Sequence, residues 1–186
     1  MDVEIIKKSD TKIATWSGGT TSEIFIYPKE SSLEQRDFNF RLSIATVEIE
    51  ESDFTCLPNV NRTLMVLKGN LSLMHENQHT VQLKEFEQDS FKGDWNTKSK
   101  GKVTDFNLMT KGNYVGTLTH IQFYESEKVI SLSHFFDLFY VVNGSVIIEN
   151  YVLNQGEMIK FNQVNKTILI QSKNANVIQI SINMSC

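Results

Sequence analysis

The dominant periodicity of the chain is two. Phe40, Leu42 and Ile44 alternate with Arg41 and Ser43, and Val47 and Ile49 extend the pattern. Residues 115–123 alternate in the same way. Successive side chains of a strand point to opposite faces, so each stretch predicts a half-buried strand. Residues 63–67 form a short apolar run that ends at Lys68-Gly69, and residues 71–74 resume it. Residues 139–142 lead into Asn143-Gly144, a pair suited to a tight hairpin turn, and residues 146–149 follow. Residues 167–171 and 177–183 read as closing strands, and β-branched and aromatic residues fill these runs. Helical patterning is confined to short turns at residues 33–36 and 131–136. No window of about 12 residues keeps a 3.6-residue period. The pattern predicts an all-β chain, a barrel or a sandwich.

Residues 63–73 align with residues 138–148 at an offset of 75, with Gly69 over Gly144. Farther on, residues 87–91 align with residues 154–158 once a few residues are dropped from the second copy. Each copy reads strand, glycine turn, strand, loop, turn, strand, the local grammar of a jelly-roll barrel of the cupin type. Two copies predict a bicupin, two jelly-roll-type β-barrels packed as one unit. Residues 1–124 would form an N-terminal barrel with the pocket, and residues 125–186 a smaller C-terminal one, strands being exchangeable between them. No Pro/Gly/Ser-rich linker separates the halves, and the nearest seam is the charged run at residues 125–128.

Composition narrows the function. A formal net charge of −4 lacks the basic stripe expected of a nucleic-acid binder, and the lysines at 98, 100 and 102 read as a solvated hairpin arm. No apolar run approaches the roughly 20 residues of a membrane-spanning helix, and the first residues lack the apolar core of a signal peptide. Cys56 and Cys186 fit neither a metal motif nor a disulfide framework, so reduced thiols and a cytoplasmic location are expected.

Metal and nucleophilic chemistry find little support. His75 and His79 are four apart, which on one strand leaves their side chains about 13 Å from each other at roughly 3.3 Å per residue. A tight turn would be needed to join them, and the chain is read as holding no metal or other cofactor. There is no Gly-x-Ser-x-Gly elbow, and Cys56 has no evident base beside it, so no catalytic nucleophile is assigned.

What remains is polar residues set inside apolar segments. Arg41 and Ser43 share one strand face, and Arg62 opens the apolar run at 63–67. Asp105, Asn107 and Met109 share a face opposite Phe106 and Leu108. The stretch Trp-Ser-Gly-Gly-Thr-Thr-Ser-Glu at residues 16–23 reads as a shaped polar loop entering a strand, with Trp16 as an apolar wall, Thr20 and Thr21 as hydroxyls and Glu23 as the charge. A barrel mouth with two guanidiniums, carboxylates, an amide and hydroxyls suits a small carboxylic acid or amide, because arginine clamps a carboxylate bidentately.

Several pieces, taken in order, resemble the HutD/Ves family of cupin-like proteins. They are the Trp16 to Glu23 stretch; Phe40-Arg41-Leu42-Ser43-Ile44-Ala45; residues 54–62, ending at Arg62; Leu67-Lys68-Gly69; Phe91-Lys92-Gly93-Asp94; and residues 101–109 with Asp105-Phe106-Asn107. The resemblance covers residues 16 to about 110. It implies a bicupin without the usual metal ligands, and in part of the family an accessory or regulatory role in histidine degradation with a ligand such as formylglutamate. By position in the motifs it implies pocket roles for Trp16, Glu23, Arg41, Ser43, Arg62, Asp105 and Asn107, to which the face pattern adds Met109. Where the family turns at Phe-Pro-Gly, this chain has Leu57-Pro58-Asn59, and the family's basic residues after the Asn-x-Met piece reduce to Lys111. Two readings stand: a metal-independent binding module for a small acid or amide, or a metal-independent enzyme on a small amide or sugar-like acid with Asp105 or Glu23 as general acid/base. Homodimerisation through edge strands is compatible with either.

Overall fold

The computed structural model describes residues 3–185, and its only helical element is one turn of 3-10 helix at Lys8–Asp10. β1 (Val3–Ile6) precedes that turn, and the hairpin of β2 (Lys12–Trp16) and β3 (Gly19–Tyr27) follows it. Next come β4 (Phe40–Val47), β5 (Glu51–Asp53), β6 (Val60–Lys68), β7 (Leu71–His75) and β8 (Thr80–Leu83). β9 (Gln88–Lys92), β10 (Thr97–Lys100) and β11 (Thr104–Lys111) complete the first part. The rest holds β12 (Tyr114–Leu132), β13 (Phe136–Ile148), β14 (Tyr151–Asn154), β15 (Met158–Asn162) and β16 (Lys166–Met184). The all-β expectation holds. No helix of the described residues is long and apolar enough to cross a membrane. Cys56 is free and exposed; Cys186 lies outside the described residues.

The chain divides into two compact units. Residues 11–114 form one, with sheets in the order β2-β3-β4-β11-β6-β9 and β5-β10-β7-β8. Their alternating apolar residues meet in one core: Leu64 and Val66 of β6 and Phe91 of β9 pack with Leu71 and Leu73 of β7 and Leu83 of β8. The other unit has the sheet β1-β15-β13-β16-β12, with β14 also on β13, and a core built around Phe123, Phe139, Val141, Phe161 and Val177. The expected seam at residues 125–128 falls within β12, and the units divide at the start of that strand. The charged run is the solvated stretch of an edge strand, where charges block unwanted pairing, and not a linker. β1 belongs to the second unit, pairing with β15 from Val3↔Phe161 to Ile6↔Met158.

The internal repeat is written in the hydrogen bonds. Phe86 N–H donates to the Val66 carbonyl at 2.7 Å, and Gly156 N–H to that of Val141 at 2.8 Å. The return bonds, Val66 N–H to Glu87 O and Val141 N–H to Glu157 O, are both 3.0 Å. In each turn a glutamate side chain accepts from a backbone N–H three residues earlier, Lys84 to Glu87 at 2.8 Å and Asn154 to Glu157 at 2.9 Å. The third turn residue is left-handed in both, Phe86 at φ 65° and Gly156 at φ 87°. Val66 and Val141 keep the offset of 75 read from the sequence. The second piece matches Glu87 to Glu157, three residues from the alignment by composition, because the turn glutamate fixes the register.

Asn143-Gly144 is not a hairpin turn. β13 runs through it with a register shift against β16, and the reversal comes at Glu149-Asn150, after which Ile148 pairs Tyr151. A Cβ on Gly144 would lie 2.1 Å from the Asn174 carbonyl oxygen, so glycine serves here as a bulge that lets two backbones meet. Gly69, its counterpart, stands at φ 95° between β6 and β7, where the chain leaves one sheet of its unit for the other.

Candidate functional site

The site follows from strand register. Glu23 lies opposite Ser43, Ser43 opposite Asn107, Asn107 opposite Leu64, and Leu64 opposite Asp89. The neighbouring row runs Arg41, Met109, Arg62, Phe91, and the row on the other side runs Thr21, Ala45, Asp105, Val66. Directly opposed residues of antiparallel strands share a face. Leu64, Val66 and Phe91 of these rows lie in the core, so this is the inner face, and the polar residues among them are drawn inside. Arg41 is 5 % exposed, Arg62 8 % and Asp105 3 %.

Two short polar chains run side by side. In the first, Arg41 Nε donates to Glu23 Oε2 at 2.7 Å and its Nη1 to Ser43 Oγ at 3.0 Å. In the second, Arg62 donates through Nε and Nη2 to Asn107 Oδ1, at 3.3 and 3.1 Å, and Asn107 Nδ2 donates to Asp105 Oδ1 at 3.3 Å. Met109 lies between the arginines and packs with Ile26, Phe38, Leu57 and Val60, closing the apolar side of the site. The Arg62 guanidinium stands over two rings, 4.6 Å from the centre of Phe54 and 5.2 Å from that of Phe91, a contact in which ring quadrupoles offset lost hydration.

Electrostatics here are set by burial. Burial holds Arg62 down to about 10, with Asp105 opposing the shift and Arg41 adding to it. Burial raises Asp105 to about 6, against the pull of the Asn107 amide and Arg62. Among the described residues the arginine–carboxylate ion pair of this site is Arg41 with Glu23, and Arg62 is bonded to a neutral amide.

The stretch at residues 16–23 is a tight hairpin, not a loop. Trp16 pairs with Gly19 across a two-residue turn, and Thr21 and Glu23 face inward while Thr20 pairs with Thr46 on the opposite face. Trp16 Nε1 donates to Thr21 Oγ1 at 3.2 Å, and the indole stays 38 % exposed at the rim. The two glycines have separate reasons. A Cβ on Gly18 would sit 2.1 Å from the Trp16 ring, and one on Gly19 (φ 153°) 1.9 Å from the Thr46 carbonyl oxygen. Glu23, Arg41, Ser43, Arg62, Asp105, Asn107 and Met109 are thus brought together, Thr21 and Trp16 border them, and Thr20 stands apart.

Sequence reasoning missed Phe54 and Phe91 as the rings beneath the Arg62 guanidinium, although both lie in motif pieces that resemble the family. It also separated His75 from His79. The β7–β8 turn folds them back, with His75 N–H donating to His79 O at 2.9 Å, and both Nε2 atoms reach Asp89 Oδ2, at 2.9 and 3.0 Å. Burial holds His75 below the usual imidazole value, against the pull of Asp89.

The solved structures similar to this chain share its fold. HutD from Pseudomonas fluorescens SBW25, solved in a formate condition, superposes with a TM-score of 0.82 at 18% identity, covering 100% of both chains. The conserved protein of unknown function PA5104 from Pseudomonas aeruginosa PAO1 gives 0.84 at 19% identity, over 98% of this chain and 100% of that one. The bacterial pirin YhhW from Escherichia coli, in complex with nickel(II), gives 0.74 at 10% identity, over 99% and 100%. At such identities the likeness speaks for the cupin-like fold alone. No curated protein sequence matches the chain. The family model named HutD matches residues 8–180, nearly the whole chain, and on that match the protein belongs to the HutD family.

Proposed function

We propose that the unit of residues 11–114 binds a small carboxylic acid bearing an amide or other donor, on the inner face between Arg41, Arg62 and Asn107. The observation that carries this reading is Arg62, a buried guanidinium whose hydrogen bonds go to one neutral amide oxygen and which forms no direct ion pair among the described residues, Asp105 acting on it only through space. Burying such a cation is costly unless a charge partner completes it. A ligand carboxylate supplies that partner, and the planar fork of arginine favours it. Glu23, held by Arg41 through Oε2, offers its other carboxylate oxygen as an acceptor to a donor at the other end of the ligand. Formylglutamate has this chemistry, and the role is accessory or regulatory to histidine degradation. We also propose that each unit is a jelly-roll-type barrel and the pair a bicupin, on the support of the shared strand–turn hydrogen bonds.

Isothermal titration of the full chain with formylglutamate, urocanate, glutamate and formate tests the binding reading. Saturable heat with an acid, lost in Arg62→Ala, is expected. The absence of heat and of any melting shift with all four would remove this ligand class.

A second reading is a metal-independent enzyme acting on a small amide or sugar-like acid, with Asp105 rather than Glu23 as its general acid/base. A carboxyl raised to about 6 suits proton transfer near neutral pH, whereas Glu23 is committed to Arg41. Turnover that persists in chelator and disappears in Asp105→Asn would establish it; turnover unchanged in that variant would take Asp105 out of the role.

A further inference from the structure

The geometry points to a divalent transition-metal site formed by His75, His79 and Asp89, outside the polar site of Arg41 and Arg62. One ligand atom from each of His75, His79 and Asp89 lies within 4.8 Å of the others, and Asp89 Oδ2 is 2.9 and 3.0 Å from the Nε2 atoms of His75 and His79. A tetrahedral ion with bonds of about 2.0–2.2 Å holds its donors roughly 3.3–3.6 Å apart, so separations of this size need open by only a few tenths of an ångström. Two imidazoles and one carboxylate are a donor set for Zn²⁺, Ni²⁺ or Co²⁺.

The surroundings suit the rings as ligands. Thr97 Oγ1 is 2.7 Å from His75 Nδ1 and 3.3 Å from the Trp95 carbonyl oxygen. The hydroxyl has one proton. With a metal bound, that proton goes to the carbonyl, Oγ1 accepts from Nδ1–H, and the Nε2 lone pair of His75 faces the ion; without metal an Nε2–H donates to Asp89 Oδ2 at 2.9 Å. Such outer hydrogen bonds select the tautomer that binds metal. The His75 ring packs on Phe91 at 4.5 Å and against Trp95 at 5.5 Å, and His79 stands edge-on to Trp95 at 5.9 Å. His75 is enclosed while the His79 side chain is 40% exposed, which opens the fourth coordination position to water or a ligand atom. The backbone bond from His75 to His79 holds the two in this turn without metal.

Chelator-treated full-length protein titrated with ZnCl₂ and, separately, NiCl₂ by calorimetry tests the site. One equivalent should bind with a Kd in the micromolar range or tighter, and the melting temperature should rise by several degrees. His79→Ala, an exposed position, and Asp89→Asn should each weaken binding at least tenfold, while His134→Ala and Cys56→Ser leave it unchanged. Co²⁺-loaded protein should show the visible bands of a four-coordinate ion, and His79→Ala should lose them. A Kd weaker than about 1 mM for both metals, or binding that survives both His79→Ala and Asp89→Asn, overturns the assignment. In the first case the three groups are a hydrogen-bonded cluster alone.

Discussion

Asp105→Asn separates the cost of a buried carboxylate from the packing around it. Asp105 faces the Asn107 amide at 3.3 Å and lies near Arg62, and burial raises it from 3.8 to about 6. Because the folded value exceeds the unfolded one, the folded chain holds a proton that the unfolded chain releases between those limits. The contribution to stability is therefore complete below pH ~4, falls as pH rises through 6, and stays low above it. At about 1.4 kcal/mol per unit, the span is on the order of 3 kcal/mol. Asparagine has the same shape and no charge to desolvate, so this pH dependence disappears in the variant. Urea unfolding followed by tryptophan fluorescence suits the measurement, because both tryptophans, Trp16 and Trp95, belong to the unit that holds Asp105. Variant minus wild type, measured from pH 4 to 7.5, cancels every group the two share. That difference should climb by on the order of 3 kcal/mol in favour of the variant. A flat difference across the interval would refute the buried-acid reasoning. If an anionic ligand binds beside Arg62, it raises Asp105 further, so binding at pH 6.5 should take up a fraction of a proton, seen as a buffer-dependent heat.

Arg62→Lys keeps the charge but loses the fork to Asn107 and the flat contact with Phe54 and Phe91; acid binding should weaken by tenfold or more by calorimetry, with a stability loss of about 1–2 kcal/mol in urea. Gly19→Ala drives a methyl group into the Thr46 carbonyl oxygen at an intended separation of 1.9 Å, and should cost at least about 2 kcal/mol or prevent folding, measured by thermal melting. Leu64→Ala removes a wholly buried side chain from between the two sheets of its unit and should destabilise by about 2–5 kcal/mol in the same assay. Glu23→Gln leaves the contact with Arg41 but removes its charge, so affinity for a bare monocarboxylate should rise while affinity for a ligand with a donor end falls, compared by titration with formate and formylglutamate.

The inward and outward faces of the strands were legible in the chain, because a strand alternates strictly. The pairing of Arg41 with Ser43, and of Asp105 with Asn107 and Met109, needed no more than that period. The repeat was legible where it rests on glycine and the apolar run, and less so at the second turn, where a glutamate bond sets the register. Asn143-Gly144 misled because its local preference for a tight turn is real, yet β16 pairs with both sides of it and keeps the strand going. The run at 125–128 looked like a seam because it is charged, whereas a charged edge strand looks the same in one dimension.

By itself the sequence determined which residues lie on which face of a strand, that the chain is all-β, and that no arginine-rich or helical surface organises it. Backbone periodicity and composition are local properties, and they survive without knowledge of partners. Only the tertiary structure decided which strands stand next to each other, and so which polar residues become neighbours. That arrangement puts Met109 between Arg41 and Arg62, slides Phe54 and Phe91 over a guanidinium, turns Thr21 inward and Thr20 away, and folds His79 back to meet His75 at Asp89. Register across a sheet depends on contacts between residues far apart in sequence, and burial, which sets the charges of Asp105 and Arg62, exists only once those contacts have formed.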